Sequence, residues 1–92
     1  MFNVAQYAML LHMVAHVVNM EPATLTTLGV DTHIYLNQVE QIKEVLTRTS
    51  PVESNPKLVI SRKVETIDDF LFEDFSIVDY HPLSKIDIPV AV

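Results

Sequence analysis

The sequence predicts an α+β fold, and three observations predict it. Residues 3–19 hold no proline or glycine and are rich in Ala, Met and Leu, which favour helix. Leu36, Val39, Ile42, Val45 and Leu46 recur at helical spacing. Short runs rich in β-branched residues stand at 24–35, 58–60 and 75–78.

The first helix is expected to end at Glu21-Pro22. Its apolar residues, among them Val4, Tyr7, Leu10, Val14 and Val18, go round the whole cylinder. A helix that is apolar all round is buried all round. Fifteen of the first twenty residues are apolar, yet Asn3, Gln6, His12, His16 and Asn19 interrupt them and no Lys or Arg flanks them. A buried helix fits that pattern better than a membrane span or a signal peptide. Residues 24–35 read as a strand with an irregularity at Gly29. Residues 36–48 read as the second helix, with Glu44 and Arg48 paired at i,i+4 on its outer side. The polar run 47–56 carries two prolines and reads as a loop. Leu58–Ile60 is a short strand, Thr66 and Asp69 resemble a capping box, and Phe75–Val78 is another strand. Two helices and a few short strands cannot surround an all-apolar helix. Other protein is therefore expected to cover it, and no complete independent domain is expected in residues 1–92.

Composition removes several function classes. Of the 92 residues 49% are apolar, too many for a disordered chain. A net charge of −6, with six basic residues spread over 43–85, argues against a nucleic-acid module. The absence of cysteine removes disulfides, thiolate metal sites and a thiol nucleophile. His12 and His16 have the i,i+4 spacing of two metal ligands, but no third ligand is identifiable and no metal is expected. Asn3 reads first as an N-cap, with Gln6 completing a box; its amide also offers a donor and an acceptor. Asp31, His33 and Tyr35 alternate and so point to one side of an extended segment. That side is either a polar strand face or a row of hydrogen-bonding groups lining a site. No glycine-rich phosphate loop and no paired basic cradle is present.

Read together, FNVAQY at 2–7, DTHIYLNQ at 31–38, PKLVISRKVETIDDF at 56–70, FEDFSI at 72–77 and the closing PVAV resemble the C-terminal third of the thymidylate synthase family, in order and over essentially the whole chain. The resemblance implies a thymidylate synthase-like, partial fold. It implies methylation of dUMP to dTMP with 5,10-methylenetetrahydrofolate as co-substrate. It implies that Asn3 meets the O4/N3 edge of the pyrimidine and that His33 and Tyr35 hold the 3′-hydroxyl of the deoxyribose, with Asp31 in support. Ala91 and Val92 then belong to a tail that closes over the folate. The family's nucleophilic cysteine and phosphate-holding arginines lie upstream of this segment, so no catalytic nucleophile is among these residues and the chain is expected to be inactive alone. The implied partners are dUMP, the N-terminal part of the synthase and, in the complete enzyme, a second copy in a homodimer; the implied compartment is the cytoplasm. The alternative is a non-catalytic remnant or binding module that pairs with a synthase subunit.

Departures from the family pattern are specific. Met1 stands for a common proline, Val30 and Asp79 for glycines, and Gln38 for a histidine. Leu83 and Ser84 interrupt a Pro-His-Pro, and the loop at 47–56 is about two residues longer, a cheap change. Val30 would be costly wherever the backbone needs positive φ.

Overall fold

Helix α1 runs Phe2–Val17, close to its expected span. Its end is set by Asn19 and not by Glu21-Pro22. Asn19 takes φ 55°, Met20 N–H donates to the Ala15 carbonyl at 2.8 Å, and Asn19 N–H donates to the His16 carbonyl at 3.4 Å. This pair of bonds is a Schellman motif, in which a left-handed residue turns the chain back onto the last carbonyls; asparagine tolerates that conformation better than most side chains. The computed structural model describes residues 2–49 and 54–91.

The segment 24–35 forms no strand, contrary to the expectation, and is exposed throughout. A strand persists only with a ladder partner, and the described strands pair with each other. β1 (Lys57–Ile60) and β2 (Phe75–Val78) form an antiparallel hairpin in which Leu58 faces Ile77 and Ile60 faces Phe75. A 3₁₀ turn at Leu36–Gln38 leads into α2, Val39–Thr47. The expected Glu44–Arg48 pair is present at 2.8 Å.

Two further 3₁₀ turns, Ile67–Asp69 and Phe72–Asp74, join the strands. The expected Thr66–Asp69 relation is seen in one arm: the Thr66 N–H donates to Asp69 Oδ2 at 3.0 Å. Arg62 ties the hairpin to both turns. Its Nε donates to Asp74 Oδ1 at 2.7 Å and its Nη2 to the Asp69 carbonyl. Asp74 also accepts the Leu71 N–H at 2.8 Å. The Arg62 hydrogen bond, and after it the Leu71 amide, hold the Asp74 carboxyl below the usual carboxylate range.

The core is small. Ala15 and Val64 are the buried apolar residues among those described, with Phe70 stacked between His16 and Phe75 at ring distances of 5.8 and 5.2 Å. One stripe of α1 stays uncovered: Tyr7, Leu10 and Val14, with Val18 just past its end, are each more than two-fifths exposed. The chain exposes 8160 Å² of surface. A compact protein of this mass exposes about 5,400 Å². Its radius of gyration is 16.6 Å, against about 12 Å for a compact chain of this length. No described helix is long and apolar enough to cross a membrane.

Candidate functional site

His33 and Tyr35 do not share a strand face, since there is no strand, yet the structure still brings them together. Their rings meet edge to face at 4.9 Å, with an interplanar angle of 89°. The contact is set locally: His33 Nδ1 lies 2.8 Å from the Asp31 carbonyl. A carbonyl only accepts, so Nδ1 carries the proton of the neutral ring and Nε2 is left as an acceptor. The Asp31 carboxylate lies 3.5 Å from the same nitrogen and is almost fully solvated. Half of the Tyr35 residue and about half of the His33 side chain are open to solvent. One hydroxyl and one imidazole therefore stand side by side, and neither the Tyr35 hydroxyl nor His33 Nε2 has a hydrogen-bond partner among the described residues.

Ala91 lies at the same place. It lines an open depression with Tyr35, Leu36 and Asn37. Val92, the other expected tail residue, lies outside the described residues.

Asn3 is exposed in the first turn of α1. The helix begins at Phe2, so Asn3 sits inside it and is not its N-cap, and its side-chain amide is not used as one. No hydrogen bond among the described residues joins Asn3 to His33 or Tyr35. Val30 does not take positive φ, so the valine there carries no left-handed strain; Asp79, at φ 55°, does occupy the left-handed region.

His12 and His16 line one open groove with Met20, Pro22, Leu58 and Ile60. No group of three potential metal ligands occurs among the described residues. His16 Nε2 and Gln41 Oε1 are buried without a hydrogen-bond partner among them.

Two side chains that fasten the tail escaped sequence reasoning. Gln38 Nε2 donates to the Pro89 carbonyl at 2.8 Å. Arg48, expected only as a partner of Glu44, also donates to the Ser84 carbonyl, with Nη2 3.5 Å from Ser84 Oγ. Both are contacts across long stretches of chain, for which local sequence holds no signal.

The arrangement is that of an α+β polypeptide with an incomplete apolar core, a hydrogen-bonding edge at 31–37 and a C-terminal tail returning to it. The chain belongs to the thymidylate synthase family, whose model matches residues 1–92. It is 48% identical to the thymidylate synthase of Mycoplasma mobile over 92 aligned residues, covering 97% of this chain and 31% of that protein. It is 47% identical to the thymidylate synthase of equine herpesvirus 2 over 91 residues, covering 99% of this chain and again 31% of the relative. The chain thus spans about a third of the length of these relatives.

Proposed function

We propose that the chain serves as the C-terminal third of a thymidylate synthase, a methyltransferase that converts dUMP to dTMP with 5,10-methylenetetrahydrofolate. The observation that supports the reading is the His33–Tyr35 ring contact, with His33 Nδ1 held by the Asp31 carbonyl and Ala91 lining the same depression as Tyr35.

In this reading His33 Nε2 accepts a hydrogen bond from the 3′-hydroxyl of the nucleotide, and the Tyr35 hydroxyl completes the grip. The tautomer that makes Nε2 an acceptor is held by the Asp31 carbonyl. Asn3 reads the base. Uracil offers O4 as acceptor and N3–H as donor, and a carboxamide matches both. As charge builds on that edge during reaction, the amide donor stabilises it. Cytosine would present an amino group and an unprotonated N3, which the amide matches less well. Ala91 and Val92 belong to a tail that closes over the folate and excludes water. The chain has no cysteine to add to the pyrimidine and no basic cradle for the phosphate, so it is inactive alone. The missing groups come from an N-terminal part, which also covers α1; the completed enzyme is a cytoplasmic homodimer.

The test is to fuse the chain behind the N-terminal two-thirds of the Mycoplasma mobile synthase, and to supply the same part in trans. Dihydrofolate and dTMP formation from dUMP are expected in both cases and not with the chain alone. Tyr35→Phe in the fusion should weaken dUMP binding about fivefold, the worth of one net hydrogen bond. A folded fusion without turnover would reject the enzymatic reading.

A further inference from the structure

The tail is fastened to α2 at two points. Arg48, just past the C-terminal end of α2, holds Ser84; Gln38, just before its N-terminal end, holds Pro89. The tail therefore runs antiparallel to α2. The lengths agree. Ten residues of helical rise from Gln38 to Arg48 cover about 15 Å. Five extended residues from Ser84 to Pro89 cover about 17 Å. Between the two anchors Lys85 and Asp87 pair with each other on the solvent side and Ile86 is half-buried, while Ile88 is exposed. Proline restricts the residue before it to extended backbone, which helps keep Ile88 on this line. Two residues past Pro89, Ala91 lines the same open depression as Tyr35, Leu36 and Asn37.

Gln38 thus sits between the two parts of the site. Upstream of it by three residues is Tyr35; across its side chain is the tail. We propose that Gln38 is a positioning residue, whose side-chain amide fixes the end of the tail over the His33–Tyr35 loop and so sets where the folate-side closure lands. Gln38 touches no reacting atom and acts through Pro89. The carbonyl of Pro89 accepts, so the side chain must supply a donor: glutamine does and an isosteric glutamate does not. A histidine can also donate, through an imidazole N–H. The inference rests on the proposed reading of the site, and its test is separable from that reading.

The experiment uses the fusion described above, whose only C-terminus is Val92, with Gln38→Glu and Gln38→His. Two quantities are read. The first is the rate at which carboxypeptidase releases Val92, Ala91 and Val90, which needs no catalysis. The second is the KM for methylenetetrahydrofolate beside the Kd for dUMP alone. Gln38→Glu is expected to speed release about fivefold and raise the folate KM by a similar factor, as loss of one net hydrogen bond requires. The dUMP Kd should stay within twofold, and Gln38→His should restore both quantities toward native. A fusion without turnover in which Gln38→Glu still speeds release rejects the enzymatic reading and keeps the anchor. Release unchanged in Gln38→Glu, or a dUMP Kd that rises as much as the folate KM, overturns the positioning role.

Discussion

Placing a charge on the uncovered stripe of α1 separates a helix that is solvated by design from one awaiting a cover. Val14 is 46% exposed, and its neighbours on the stripe, Leu10 and Val18, are 43% and 53% exposed. In the chain as it stands Val14→Asp is nearly a surface change. Its cost is about 0.5 kcal/mol, mostly from a negative charge near the helix C-terminus. If an N-terminal part covers the stripe, two terms appear in the complex. The unrealised half of the valine's burial is worth about 1 kcal/mol. An unpaired buried carboxylate adds roughly 3 kcal/mol. Together they weaken association about a thousandfold. Val14→Thr keeps shape without charge and should cost only about 1–2 kcal/mol, the burial of one hydroxyl. The assay is titration of each variant with the N-terminal two-thirds of the Mycoplasma mobile relative, with circular dichroism of the free chain as the check on helix content. A Val14→Asp chain that binds within threefold of native would refute the covered-helix argument.

Two other outcomes follow from the hairpin and its turns. Asp74 has its carboxyl held below the ordinary range by Arg62 and the Leu71 amide, so it is ionised more readily in the folded state than in the unfolded one. Its contribution to stability is fully present above the usual aspartate value of about 4 and is lost as pH falls through the lowered folded value. Urea unfolding across that acid window should show stability rising with pH in the native chain and a flatter profile in Asp74→Asn; equal slopes would contradict the assignment. Asp79 pays for a left-handed backbone that glycine adopts freely. Asp79→Gly should therefore change stability by between zero and about +1 kcal/mol, whereas Asp79→Val should lose more than 1 kcal/mol, both measurable as shifts in thermal midpoint.

Much of the local structure was legible in the residues because its causes are local. The run 3–19 has no breaker and forms a helix; the stripe at 36–46 forms α2; the Glu44–Arg48 and Thr66–Asp69 spacings bring their partners together. The sequence places apolar residues all round the first helix, and the folded chain leaves Tyr7, Leu10 and Val14 of that helix exposed. The readings that failed are those needing a partner or a geometry that spacing does not encode. Residues 24–35 have strand composition but no ladder, because a strand is a property of a pair. Asn3 has the composition of an N-cap but lies inside the first turn of the helix, because helix ends are set within a residue or two by geometry.

The amino-acid sequence by itself determined the α+β class, the family and the residues available for hydrogen bonding at 31–35, since composition, period and ordered motifs are properties of the chain. The folded structure alone decided that His33 and Tyr35 meet through an edge-to-face contact and not along a strand. It alone brought Pro89 to Gln38 and Ser84 to Arg48, across 51 and 36 positions of sequence. Contacts at such separations depend on the path of the whole chain, which no local window contains.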